Sequence, residues 1–143
     1  MMKKKTILIT GSSSGLGFNL ATKLSRLNNS EIILNSRNTK KLLKAKEIIK
    51  NCKFFKGVVT KYSDALKISK KIKKLDILIC NVGNGSSAQP GKEKEKHWIK
   101  SFKENFYSSV NTIKAFERKL IKSKGMIICI SSICGLEYIK GAP

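Results

Sequence analysis

Acidic side chains are scarce in this sequence. Nine aspartates and glutamates stand against 30 lysines and arginines, a formal net charge of +21 over 143 residues. Such an excess raises nucleic acid as a partner. Arginine is scarce as well, since lysine outnumbers it 27 to 3. Arginine does most base-edge reading, so its shortage argues against sequence-specific DNA binding. The lysines are scattered along every helix-like segment, with no single dense tail. They read as solvated faces, with non-specific attraction to polyanions at low salt.

Metal-ligand patterns are missing too. His97 is the sole histidine, and Cys52, Cys80, Cys129 and Cys134 form no Cys-x-x-Cys pair, which removes zinc-ligand spacing. Cys80 and Cys129 lie in apolar runs, where a reduced cysteine packs as a small hydrophobe. No apolar run approaches the roughly 18 residues of a membrane span. The N-terminus, Met1-Met2-Lys3-Lys4-Lys5, is basic like a signal peptide. The apolar run behind it is too short for an h-region and ends at a glycine turn. The expectation is a cytoplasmic chain with no metal and no membrane partner. With 41% hydrophobic residues and no visible repeat or linker, it holds one domain with a real core.

The stretch Thr10-Gly11-Ser12-Ser13-Ser14-Gly15-Leu16-Gly17 organises the rest. It follows the apolar run Thr6-Ile7-Leu8-Ile9 and precedes an amphipathic segment, giving strand, glycine turn and helix. Gly11 permits the sharp turn, Gly15 lets a phosphate approach the backbone, and Gly17 lets the helix lie close to the sheet. A helix N-terminus offers free N–H groups and a positive dipole end to a pyrophosphate, and the serines add hydroxyls. The alternative is a plain structural turn.

Further elements follow in alternation. Strands are expected at Lys5–Ile9, Glu31–Asn35, Phe54–Val59, Asp76–Cys80 and Met126–Ile130. The first helix, from about Gly15 to Leu27, carries Leu16, Leu20, Leu24 and Leu27 on one face. The second, from Thr39 to about Asn51, turns Leu42, Ala45 and Ile49 inward. The third starts at an N-cap Ser63 and uses Ala65, Ile68, Ile72 and Leu75. The longest runs from roughly Glu95 to Ser123, with Trp98, Phe102, Phe106, Ser109, Ile113, Phe116 and Leu120 as a core or subunit-interface stripe. Five β-α alternations predict a Rossmann-like three-layer α/β/α sandwich on a parallel sheet of order 3-2-1-4-5. At the end of the second strand, Ser36-Arg37-Asn38 sits where a dinucleotide fold meets the adenosine ribose. An arginine there suits the 2′-phosphate of NADP, whereas an acid would suit NAD. Arg37 can also be an ordinary surface arginine.

The spacing Gly-x-x-x-Gly-x-Gly behind Thr10 resembles the glycine motif of the short-chain dehydrogenase/reductases. Cys80-Asn81-Val82-Gly83 is similar to that family's Asn-Asn-Ala-Gly segment, matching at Asn81 and Gly83. Val58 stands where the family usually carries an aspartate beside the adenine. By resemblance, Asn105 holds a water in a proton relay, and Ser132 of the Ser131-Ser132 pair bonds the substrate oxygen. The resemblance implies cofactor contacts from Thr10, Gly11, Ser13, Ser14, Gly15, Leu16, Gly17, Arg37, Asn38, Val58, Asn81, Val82 and Gly83. The family's Tyr-x-x-x-Lys pair does not occur: Tyr62, Tyr107 and Tyr138 are followed four positions later by Leu66, Asn111 and Ala142. The resemblance thus covers residues 1–143 as the N-terminal part of a dinucleotide-binding domain whose C-terminal strands are missing.

Three functions follow as expectations. The first is an oxidoreductase passing hydride between NADP(H), favoured over NAD(H), and a small-molecule carbonyl or alcohol. Its full-length form would be a homo-oligomer, and this chain alone would not turn over. The second is a non-catalytic dinucleotide-binding module or truncated product. The third is a basic polyanion-binding protein.

Overall fold

The structure, a computed structural model, describes residues 4–85, 88–89 and 91–137. In chain order these give β1 (Lys5–Ile9), α1 (Gly15–Ser25), β2 (Ser30–Ser36), α2 (Thr39–Ile48), β3 (Cys52–Lys56), α3 (Tyr62–Lys71) and β4 (Ile77–Cys80). There follow α4 (Glu95–Phe102), a π-helical turn (Lys103–Tyr107), α5 (Ser108–Ser123), β5 (Met126–Cys129) and a 3-10 turn (Ile133–Gly135). The strands pair in parallel in the order β3-β2-β1-β4-β5, as the alternation predicts.

Side chains along a strand alternate between faces, and the central strands feed two cores. Ile7, Ile9, Ile32 and Leu34 pack with Ala21 of α1 and with Leu42 and Ala45 of α2. Leu8, Ile33 and Leu78 pack on the other face with Ile68 of α3 and with Phe116 and Leu120 of α5. Among the described residues, no helix is long and apolar enough to cross a membrane. None of their His, Cys, Asp and Glu side chains gather as a metal cluster.

Several expectations are corrected. On α1 the buried residues are Gly17 and Ala21, while Leu16 and Leu27 are exposed and Leu20 and Leu24 only border the core. The helix lies so close to the sheet that only small side chains fit beneath it. β3 begins and ends earlier than expected because its register on β2 finishes at Ser36 and Lys56. The chain then leaves the sheet, and Val58 N–H donates to Asp64 Oδ2 at 3.0 Å. Ser63 is not the cap of α3, which starts at Tyr62 without a side-chain cap. The long helix keeps its expected ends, but Trp98, Phe102 and Phe106 are exposed, which excludes the core alternative and leaves the subunit-interface one open. Its buried positions in α5 are Ser108, Thr112, Phe116 and Leu120. Cys80 is buried as expected, whereas Cys129 is exposed with the rest of β5. Ser86, Ser87 and Pro90, between β4 and α4, and Tyr138 lie outside the described residues.

Candidate functional site

The glycine turn is fixed from beneath by two buried side chains. Ser12 Oγ donates to Ile9 O at 2.7 Å and accepts from Asn35 N at 3.0 Å, joining the turn to β2. Thr10 Oγ1 accepts from Asn81 N at 3.0 Å, joining it to the end of β4. Asn81 Nδ2 in turn donates to Thr10 O and Gly11 O, at 3.1 and 3.3 Å. Gly11 and Gly15 both take the left-handed backbone, with φ of 64° and 59°. A β-carbon on Gly17 would lie 2.5 Å from Asn81 Nδ2, so this glycine is needed for close packing. One on Gly15 would meet nothing within 4 Å, leaving its backbone approachable.

Above the turn lies a cleft of about 1080 Å³. It opens at the carboxyl ends of the strands, where the sheet order reverses between β1 and β4, the position at which open α/β sheets hold ligands. Ten of the residues singled out from sequence line it: Gly11, Ser13, Ser14, Leu16, Arg37, Asn38, Val58, Asn81, Val82 and Gly83. Thr10, Gly15 and Gly17 do not line it, and Thr10 and Gly17 support the turn through the contacts above. Asn38 also caps α2, its Oδ1 accepting from Lys41 N at 3.1 Å. Ser13 Oγ donates to Ser36 Oγ at 2.8 Å. Arg37 is exposed, and its Nη1 lies 3.9 Å from Glu104 Oε1.

Sequence reasoning missed Asn35. It lines the cleft, is 1% exposed and donates through Nδ2 to Phe55 O and Gly57 O, at 3.0 and 3.3 Å. Its Oδ1 is a buried acceptor with no partner among the described residues. A polar side chain at the end of an otherwise aliphatic strand, Ile32-Ile33-Leu34-Asn35, was the available signal. Glu104 and the lysines of α4 were missed for a different reason: nothing in a helical sequence says which lysines face a cleft.

The two expected catalytic residues sit outside the cleft lining. Asn105 lies in the π turn at its rim, a kind of helical irregularity frequent at functional sites. Its Oδ1 accepts from Asn84 N at 2.6 Å, and its Nδ2 donates to Asn84 O at 3.1 Å. Ser132 follows β5, beside the strand that carries Asn81, and its Oγ accepts from Cys134 N at 3.3 Å. His97 has a capping role, its Nδ1 accepting from Lys94 N at 3.2 Å. Cys80, next to Asn81, is pushed up to about 12 by burial and then by the adjacent Cys129.

Over residues 5–143 the sequence matches the family model described as short chain dehydrogenase. It is 34% identical over 142 residues to 3-oxoacyl-[acyl-carrier-protein] reductase FabG of Rickettsia typhi, covering 92% of this chain and 55% of that protein. It is 32% identical over 148 residues to a dehydrogenase/reductase SDR family protein 7-like of Dictyostelium discoideum, covering 93% and 46%. The chain spans about half the length of the curated relatives it matches. An alcohol dehydrogenase from the archaeon Thermococcus sibiricus, solved with 5-hydroxy-NADP, superposes with a TM-score of 0.89 at 23% identity, over 98% of this chain and 63% of that one. The RhlG/NADP complex of Pseudomonas aeruginosa gives 0.90 at 19%, over 99% and 60%. At these identities the structural likeness speaks for the fold, and the sequence match carries the family. With a glycine turn, Asn81-Val82-Gly83 and Ser131-Ser132 set in that order on the parallel sheet, the chain belongs to the short-chain dehydrogenase family.

Proposed function

We propose that residues 1–143 form the dinucleotide-binding domain of an oxidoreductase that interconverts a carbonyl and an alcohol, with NADP(H) preferred over NAD(H). One observation carries this reading. The glycine turn, Arg37 and Asn81-Val82-Gly83 line a single cleft at the switch point of the sheet. The residues fit a dinucleotide: Gly15 leaves its backbone open, and Asn35 Oδ1 is a buried acceptor in want of a donor. Ser13, Ser14 and the N-terminus of α1 would hold the pyrophosphate. Asn35 Oδ1 would accept a ribose hydroxyl, Arg37 would bind the 2′-phosphate, and Val58 would border the adenine. The bound nicotinamide supplies or accepts the hydride.

Ser132 keeps its hydroxyl proton while accepting from Cys134 N–H, so it can donate to the substrate oxygen. Asn105 steadies the backbone after Gly83 and positions the relay water. Carbonyl reduction also needs a proton donor, and a serine hydroxyl is a poor one. The 143-residue chain alone is therefore expected to show no turnover of ketones or aldehydes with NADPH. The exposed face bearing Trp98, Phe102, Phe106 and Tyr107 supports self-association, which sedimentation would register.

The test is cofactor choice. Arg37→Ala should weaken NADPH about tenfold or more and leave NADH nearly unchanged, as expected for loss of a charge-assisted bond to phosphate. Equal losses for the two cofactors, measured by calorimetric titration, would overturn the assignment.

A further inference from the structure

Among the described residues the cleft is lined by six cations, Arg37, Lys41, Lys61, Lys96, Lys100 and Lys103, and by one carboxylate, Glu104. Glu104 is held in place. Its side chain is 20% exposed, against 77% for Arg37, and its Oε2 accepts from Asn84 Nδ2 at 2.7 Å. Its other oxygen lies 3.9 Å from the Arg37 guanidinium. Arg37 follows β2 and Glu104 belongs to the π turn, so the pair joins two separate walls of the cleft.

We propose that Glu104 is an internal competitor for the anion that Arg37 recognises. The inference rests on the dinucleotide reading above. In the free protein the Glu104 carboxylate occupies the guanidinium, and a 2′-phosphate on the adenosine ribose must displace it. The contact is long and one partner is exposed, which makes it a weak pair. A phosphate brings more charge and can take the planar guanidinium in a shorter, two-pronged contact. An adenosine without the 2′-phosphate has no group with which to compete, so it leaves the pair closed. Glu104 thus lowers affinity only for the phosphorylated ligand, by the fraction of molecules in which the pair is made. Once released, the carboxylate still holds Asn84, whose backbone is held by Asn105.

Adenosine 2′,5′-bisphosphate and 5′-AMP are suitable probes, because they differ only in the 2′-phosphate and carry no nicotinamide. They are titrated by calorimetry into the wild-type protein, Glu104→Gln, Arg37→Ala and the double variant. Glutamine keeps an oxygen that can accept from Asn84 and removes the charge. Glu104→Gln should bind the bisphosphate about two- to fivefold tighter, bind 5′-AMP as before, and gain nothing when Arg37 is absent. Glu104→Ala should repeat the selective gain. Without ligand, the Arg37 side-chain Nε resonance should move on Glu104→Gln. No gain, an equal gain for both probes, a gain that persists without Arg37, or an unmoved resonance would each overturn the proposal. If Arg37→Ala does not weaken the bisphosphate relative to 5′-AMP, the 2′-phosphate reading fails on its own. Absence of binding by either probe removes both.

Discussion

A β-carbon on Gly17 would also stand 2.7 Å from Gly11 O, and a backbone oxygen cannot swing aside. Gly17→Ala should therefore push α1 off the glycine turn, costing about 1–3 kcal/mol in urea denaturation. Gly15→Ala meets no neighbour, and its cost of about 1–2 kcal/mol comes only from the left-handed backbone. The glycine spacing already gave Gly11 the sharp turn and Gly17 the close packing of the helix; what it could not name is the neighbour that Gly17 packs against, Asn81, 64 residues further on. Asp76 gives a second test. Burial alone would raise its carboxyl, but bonds from Lys74 Nζ and Thr6 N–H more than offset this and hold it below the usual carboxylate value. A carboxyl lower in the folded than in the unfolded state stabilises the fold above the unfolded value. That contribution is lost as pH falls through the folded one. Melting temperature should thus drop below about pH 4, and Asp76→Asn should flatten that acid limb. Alkylation at neutral pH should mark the exposed Cys134 while the buried, raised Cys80 stays unmodified.

Elements whose apolar spacing met an ordinary packing environment were legible. α2 buries Leu42 and Ala45, with Ile49 buried just past its end, and α3 buries Ala65 and Ile68, followed by Ile72 and Leu75. The long helix misled because its first part has no packing partner: neither α4 nor the π turn Lys103–Tyr107 buries a residue on any face. The aromatic positions before the turn face outward, and the buried row restarts at Ser108. Asn105 fastens this irregular turn to the backbone of Asn84 with two bonds. Asn105→Ala should cost about 1 kcal/mol in chemical denaturation and shift the Asn84 amide resonance, with β1 and β2 resonances unmoved. Loss of the signals of the whole sheet would mean that the turn is a structural keystone rather than a local fastening.

For the molecule as a whole, strand order and layering followed from β-α alternation, while the cleft's charge did not, since lysines are spread over all faces. The net charge of +21 should draw nucleic acid weakly, without regard to sequence and with steep loss of binding as salt rises. A tight, sequence-dependent complex at physiological salt would displace the oxidoreductase reading. β5 is exposed at all four positions and, among the described residues, pairs only with β4, whereas β1 lies between two partners. The sheet is therefore a gradient of opening free energies. In deuterium exchange, β1 amides should be the slowest and β5 amides the fastest of the strands. The groups that would grip the nucleotide stand at the slow end, and Ser132 stands at the fast end. Local melting of β5 would erase the serine's geometry and leave the glycine turn intact, so on the proposed reading holding a cofactor and using it would be separable by folding energy.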